Sequence, residues 1–135
     1  MKYILDTDTL IDFLQDGGRT RTRTRTRTTE MLEQGDEFAL CSVTVSELFT
    51  GLNQRRHEEW QDLFTSLPYW DISREAAMQA GIDRRTASEA GRTLATTDAL
   101  IAGLARENNA VILTSNIKDY PMKDVRVMSL RDKAA

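Results

Sequence analysis

The sequence has one cysteine, one histidine, two prolines and no long hydrophobic run. With Cys41 alone, no disulfide can form within the chain, which is typical of proteins from reducing compartments. The longest apolar stretch, Ala99 to Ala105, has seven residues, whereas a membrane-spanning helix needs about 20. The opening residues, MKYILDTD, lack the pattern of a secretory signal. We therefore expect a cytoplasmic protein that has no membrane segment.

Enzymes that use a nucleophilic side chain are disfavoured. His57 lies in the charged run QRRHEEW, which is typical of a solvated helix face. Cys41 lies in an apolar strand pattern, as expected of a small core residue. Neither forms a convincing catalytic pair. The chain also has no Walker-type glycine loop, so its sequence gives no indication of an activity driven by nucleoside triphosphates.

The charges nearly cancel, with 18 basic and 21 acidic residues and a net charge of −3. A protein dedicated to non-specific nucleic-acid binding is more often basic, because neutralising phosphates drives that affinity. The exception is the stretch GGRTRTRTRTRTTE, from Gly17 to Glu30. Two interpretations stay open for it: a solvated connection, or an arm whose side chains bind the phosphates of a nucleic acid. Its arginines are Arg19, Arg21, Arg23, Arg25 and Arg27.

The order of the predicted elements indicates an α/β domain. Short β-type runs occur at KYIL, EFALC, YWDI, AVILT and VRVMSL, and helical patterns separate them. The successive apolar residues of AVILT are expected of a strand that is covered on both faces. A chain of 135 residues has the size of one domain. We predict a single domain over residues 1–135, with a mainly parallel central sheet.

Three acidic residues lie at the starts of predicted helices. Asp6 follows the first strand, and Asp98 lies in the first turn of TTDALIAGLARENN. Glu47 stands three residues after Thr44, which is the spacing of a capping box. Taken singly, each acid has a structural explanation as a helix cap or as a partner of the helix dipole.

A parallel sheet would gather several of these positions at one edge. Asn116 and Asp119 follow the strand AVILT, so we expect them at the same carboxyl-end edge as Asp6 and Asp98. Clustered carboxylates repel one another unless a cation lies among them. Oxygen ligands without histidine or cysteine favour Mg²⁺ or Mn²⁺ over zinc. Such ions support phosphodiester hydrolysis, because they activate water and stabilise the leaving oxygen.

Four blocks in order, YILDTDTLID, VTVSELFTGL, TTDALIAGLA and VILTSNIKDYP, resemble a PIN domain, and specifically the VapC-like ribonuclease toxins of bacterial toxin–antitoxin systems. The resemblance covers essentially the whole chain. It implies a three-layer α/β/α sandwich and a Mg²⁺- or Mn²⁺-dependent endoribonuclease that leaves a 5′-phosphate and a 3′-hydroxyl. It also implies that Asp6, Glu47 and Asp98 are the metal-binding acids.

Further residues and partners follow from the same resemblance. Asn116 stands where the family has a fourth acid or an asparagine, and Asp119 follows closely as a member of the catalytic cluster. Thr7, Asp8 and Ser115 are candidates for an outer layer that holds water or phosphate. The resemblance implies a homodimer, an RNA substrate such as tRNA, and a cognate antitoxin that blocks the cleft.

Two alternatives remain. The run DTDTL also resembles the DxDxT loop of haloacid-dehalogenase phosphatases, but Leu10 stands where that motif has threonine or valine. The other alternative is a catalytically degenerate PIN fold that acts only as a binding module. Metal-dependent cleavage that is lost in Asp6→Asn would exclude that second alternative.

Overall fold

The structure of this protein is a computed structural model. It describes residues 1–14, 30–51, 57, 60–61, 65 and 67–129, and it leaves out the side chains of residues 11–14. The arginine–threonine tract lies outside the described residues, so its two interpretations stay predictions.

The described residues form a central sheet of five parallel strands in the order β3-β2-β1-β4-β5. Each predicted β-type run contains one strand. All of these strands pair in parallel, so the prediction of a mainly parallel sheet is confirmed. The last three strands are shorter than YWDI, AVILT and VRVMSL, because pairing with their neighbours extends over two or three residues. The strands are β1 (Lys2–Leu5), β2 (Glu37–Cys41), β3 (Tyr69–Trp70), β4 (Val111–Leu113) and β5 (Val127–Met128).

Helices connect these strands. Residues 30–33 are helical, and the chain then turns at Gly35, whose φ of +90° suits a residue without a Cβ. The named helices are α1 (Thr7–Leu14), α2 (Ser42–Gly51), α3 (Arg74–Glu89) and α4 (Thr96–Asn108), followed by a short 3₁₀ helix (Ile117–Asp119). Among the described residues, no helix combines the length and the apolarity needed to cross a bilayer.

Alternate residues of β1 pack into two separate cores. Tyr3 and Leu5 belong to a core that includes Leu10 of α1 and Leu48 of α2. Ile4 belongs to a second core, which includes Ile101 of α4. Successive side chains of a strand point to opposite faces, so helices cover both sides of the sheet. This arrangement is the predicted three-layer α/β/α sandwich. Cys41 is fully buried in the second core, as its sequence context predicted.

Helices α3 and α4 pack closely on one side of the sheet. At Gly103, an added Cβ would lie 2.7 Å from the carbonyl oxygen of Ala76. The two helices therefore approach through glycine and alanine, since a larger side chain would hold the backbones apart. Ser73 caps α3, and its hydroxyl accepts the N–H of Ala76 at 3.0 Å.

Arg106 ties the connection between β4 and β5 to both helices. Its Nε and Nη2 donate to the two carboxylate oxygens of Asp124 at 2.7 and 2.9 Å. Its Nη1 donates to Asp83 at 2.6 Å. Because Asp83 lies in α3, Arg106 in α4 and Asp124 in the segment that enters β5, the three side chains join three separate parts of the fold. The same connection carries Asp119 and Tyr120.

Candidate active site

The carboxyl ends of β1 and β4 lie side by side in the middle of the sheet. Here the strand order reverses, with β2 and β3 on one side and β5 on the other. Open α/β sheets bind their ligands at such switch points. Asp6 follows β1 directly, and Thr114 follows β4. The backbone N–H of Asp6 donates to the carbonyl of Leu113 at 2.9 Å, which fixes the two strand ends against each other.

Asp6 lies buried at the centre of this edge. Its Oδ2 accepts hydrogen bonds from the hydroxyl of Thr114 at 3.0 Å and from that of Tyr120 at 2.7 Å. Its Oδ1 accepts the backbone N–H of Thr7. The backbone of Asp6 does occupy the N-cap position of α1, because its carbonyl accepts the N–H of Leu10. The side chain, however, is held by residues of the β4–β5 connection, so capping does not account for the carboxylate.

Glu47 does not belong to a capping box, and that interpretation is wrong. Helix α2 begins at Ser42, directly after β2, so Thr44 lies inside the first turn rather than at its N-cap. Thr44 is fully buried, and its hydroxyl donates to the carbonyl of Leu5 at 3.2 Å. Glu47 is exposed and accepts a hydrogen bond from the hydroxyl of Thr7 at 2.9 Å. The carboxylate therefore binds a residue of α1, at the edge where Asp6 lies.

Asp98 lies half-buried in the first turn of α4, as the sequence predicted. Its pKa is raised from 3.8 to about 6, first by burial and then by the negative charges of Asp6, Asp119 and Glu47. The hydroxyl of Tyr120 acts in the opposite direction and lowers this pKa. The fold thus brings the acids of four separate segments within electrostatic reach of one another.

Asn116 and Asp119 lie at the two ends of the short 3₁₀ helix after β4, Asn116 as its N-cap and Asp119 as its last residue. The side-chain amide of Asn116 donates to Oδ1 of Asp119 at 3.1 Å, and its backbone N–H donates to the hydroxyl of Thr114 at 3.1 Å. Asn116 is exposed and Asp119 is half-buried. In this structure Asn116 therefore orients an acid of the cluster.

The remaining predicted residues occupy different environments. Thr7 is buried between Asp6 and Glu47, consistent with a supporting role. Asp8 is exposed in the first turn of α1, and Ser115 is half-buried after β4. The five arginines lie outside the described residues. His57, expected on a solvated face, is half-buried instead, because its ring packs on Phe49 with centroids 4.9 Å apart.

The sequence did not single out two residues that hold Asp6, namely Thr114 and Tyr120. A weak signal existed for Thr114, since it is the polar residue that ends the apolar run AVILT beside the acids. Tyr120 gave no such signal. Its position in KDYP resembles that of an ordinary core aromatic, and only the fold places its hydroxyl against Asp6.

The donor set suits a hard divalent cation. It consists of carboxylates with an amide and hydroxyls beside them, the oxygen ligands that Mg²⁺ and Mn²⁺ accept. A cation would relieve the repulsion that, in addition to burial, raises the pKa of Asp98. Within the described residues, no three acidic, histidine or cysteine side chains already surround one point at ligand distance. Charge repulsion acts over longer distances than coordination, so binding would draw the carboxylates closer together.

Known proteins share both the sequence pattern and the fold. The chain is 26% identical to ribonuclease VapC2 of Rickettsia felis over 125 residues, which is 89% of this chain and 90% of that protein. A DNA-bound VapBC structure from Salmonella typhimurium matches at a TM-score of 0.81 and 22% identity, over 96% of this chain and 98% of the other. A toxin–antitoxin complex from Klebsiella pneumoniae matches at 0.72 and 22% identity, over 95% and 97%. The PIN domain pattern matches residues 3–125, and the chain therefore belongs to the PIN-domain family.

Proposed function

We propose that this protein is a metal-dependent endoribonuclease of the VapC-like toxin type. The carrying observation is the gathering of Asp6, Glu47, Asp98 and Asp119 at the switch point of the sheet, where burial and then the charges of the other three acids raise the pKa of Asp98 to about 6. A raised carboxyl pKa in a cluster at a ligand-binding edge is typical of functional sites. The similarity to a ribonuclease supports RNA as the substrate.

Each acid has a distinct role in this proposal. Asp6 and Asp98 bind Mg²⁺ or Mn²⁺ directly, and Glu47 either completes the ligand set or orients the attacking water. Asn116 holds Asp119 at the same edge, and the pair completes the cluster. The bound ion supplies Lewis acidity, which lowers the pKa of water and neutralises charge on the phosphate.

The chain's own hydrogen bonds prepare the acids for this chemistry. The buried carboxylate of Asp6 is fixed by two hydroxyls, so little rotational freedom remains to be lost when it binds a ligand. Glu47 is exposed on the solvent side, and Thr7 holds it in place. Water that attacks the phosphorus would displace the 3′ oxygen, leaving a 5′-phosphate on one fragment and a 3′-hydroxyl on the other.

The proposal includes partners. A cognate antitoxin would cover the acidic cluster, and the fold shared with a toxin–antitoxin complex supports this partner. The protein would act as a homodimer on cytoplasmic RNA such as tRNA. Some of the five arginines would hold RNA phosphates or acidic residues of the antitoxin.

The test is cleavage of total tRNA by the purified protein with Mg²⁺, Mn²⁺ or EDTA. We expect metal-dependent cuts, and we expect Asp6→Asn and Asp98→Asn each to lower kcat/KM on the order of 10²-fold or more. Asp71→Asn is the matched control, because Asp71 is exposed and is not among the acids whose charges raise the pKa of Asp98. It should cleave as the wild type does.

Two outcomes would contradict the proposal. Full activity in Asp6→Asn and Asp98→Asn would place the chemistry elsewhere on the chain. No cleavage of any RNA, together with no metal binding in calorimetry, would support the degenerate binding module. Membership of the PIN family already removes the haloacid-dehalogenase alternative.

A further inference from the structure

We propose that Tyr120 is a positioning residue of this site: with Thr114 it occupies both acceptor positions of one oxygen of Asp6, which leaves the other oxygen to bind a divalent cation. This inference rests on the proposed metal dependence. It adds a residue outside the acidic set, and it predicts which oxygen of Asp6 has acceptor capacity left for a cation.

The hydrogen bonds on Asp6 can be counted oxygen by oxygen. A carboxylate oxygen has two lone-pair positions. The Oδ2 atom accepts from Tyr120 at 2.7 Å and from Thr114 at 3.0 Å, so both of its positions are used. The Oδ1 atom accepts only the backbone N–H of Thr7 among the described residues, so one position remains. Asp6 can therefore take a cation on Oδ1 without breaking either hydroxyl bond.

Tyr120 is anchored well enough to impose this geometry. It is 5% exposed, and its ring packs in the core that contains Ile4, Ile112 and Val125. Its backbone N–H donates to the carbonyl of Ile117 at 3.1 Å, at the end of the 3₁₀ helix. The fold therefore fixes the position of the hydroxyl, so little conformational entropy is lost there when a cation binds.

A core tyrosine whose hydroxyl has merely found a partner is the competing explanation. Against it stands the position of the hydroxyl between two acids, since it binds Asp6 and also lowers the pKa of Asp98. Burial and the surrounding carboxylates raise the pKa of Tyr120, so it remains a neutral donor. A neutral donor can hold two like charges near each other without cancelling the charge that a cation needs.

The test compares Tyr120→Phe with Tyr69→Phe, which removes the same atom from an exposed tyrosine at the edge strand. Mn²⁺ binding is measured by calorimetry, and thermal unfolding in EDTA checks that both variants fold. We expect the Kd for Mn²⁺ to rise on the order of 10-fold in Tyr120→Phe, as is typical when a partner of a metal ligand is lost. Tyr69→Phe should bind Mn²⁺ as the wild type does.

RNA cleavage provides a second measurement, because a change in packing alone would not alter how cleavage depends on Mn²⁺. Tyr120 is buried and does not reach the solvent side, so the KM for RNA should stay unchanged in Tyr120→Phe. The kcat should fall at limiting Mn²⁺ and recover when Mn²⁺ is raised about 10-fold, matching the expected change in Kd.

The outcomes separate this inference from the proposed function. Equal Kd values in the wild type and Tyr120→Phe overturn the inference alone. A wild type that binds no Mn²⁺ overturns the proposed function and this inference with it. Should Tyr120→Phe fail to fold, Thr114→Val removes the other hydroxyl from the same oxygen, and an unchanged Kd in that variant overturns the inference.

Discussion

At the scale of single residues, Asp98 is a carboxyl group whose pKa the fold clearly raises. It is half-buried and lies near three other acids, and its pKa reaches about 6 because burial and those charges disfavour its ionised form. The folded protein without a cation therefore holds a proton there at pH values where the unfolded chain has already lost it. In the proposed function this carboxylate would bind the cation at some cost to stability, a trade-off that is common in active sites.

A pH dependence of stability follows for Asp98. In EDTA, the free energy of unfolding of the wild type should fall relative to that of Asp98→Asn as the pH rises from 3.8 to about 6, and the difference should be constant above that range. The folded state binds more protons than the unfolded state in this window, so rising pH favours unfolding. Asparagine cannot titrate. Urea unfolding across this pH range measures the difference.

Asp71→Asn serves as the control, because Asp71 is exposed and lies outside the cluster. Its unfolding free energy should run parallel to that of the wild type across the window. A wild-type curve that runs parallel to Asp98→Asn would mean that burial and the neighbouring acids do not perturb Asp98 in solution.

At the scale of elements, the packing of α3 on α4 depends on Gly103. Gly103→Ala should destabilise the protein by about 1–3 kcal/mol, because its Cβ would come within 2.7 Å of the Ala76 carbonyl oxygen and push the helices apart. Gly81→Ala, in α3, is the matched control. A Cβ there meets no atom within 4 Å, so the better helix former should stabilise by up to about 1 kcal/mol. Chemical denaturation measures both, and equal effects would contradict this packing.

Arg106 is the second point at which elements depend on one residue. Arg106→Met should cost about 1.5–3 kcal/mol, the usual value of hydrogen bonds to a charged group. Most of the loss should come from Asp83, whose side chain is 10% exposed and would lose its ion pair. The exposed Asp124 should contribute less, because solvent screens its charge.

Arg85→Met is the control for this change, since it breaks the exposed pair with Glu89 in α3. Such surface pairs contribute less than about 1 kcal/mol. Urea unfolding of the two variants gives the comparison. If Arg85→Met lowers the free energy of unfolding as much as Arg106→Met does, the burial of Asp83 does not strengthen its ion pair with Arg106.

At the scale of the whole molecule, sequence patterns predicted the secondary-structure elements, because these depend on local periodicity. The five strands, the four helices that begin at Thr7, Ser42, Arg74 and Thr96, and the acids at the strand ends all follow from neighbouring residues. The sequence did not predict the bonds of Tyr120 to Asp6 or of Arg106 to Asp83. Each joins residues that are far apart in the chain and meet only once the sheet has formed. The capping box of Glu47 was also wrong, because the helix begins at Ser42 and the Thr44 hydroxyl donates to the distant carbonyl of Leu5.

The proposed homodimer has a candidate surface on α3. Met78 and Ile82 are 64% and 56% exposed and lie one turn apart, so they form one apolar face. In an antiparallel pair of α3 helices about a two-fold axis, Met78 would face the partner's Ile82. Such self-complementarity is what a symmetric dimer requires.

This surface can be tested by sedimentation analysis of the wild type, Ile82→Glu and Leu32→Glu. We expect a dimer for the wild type and an increase on the order of 10-fold or more in the dissociation constant for Ile82→Glu, because a charge would then lie in the apolar centre of the interface. Leu32 is also exposed and apolar but lies before β2, so Leu32→Glu should remain dimeric. The opposite result would place the interface beside residues 30–33, and a monomeric wild type would remove the homodimer from the proposed function.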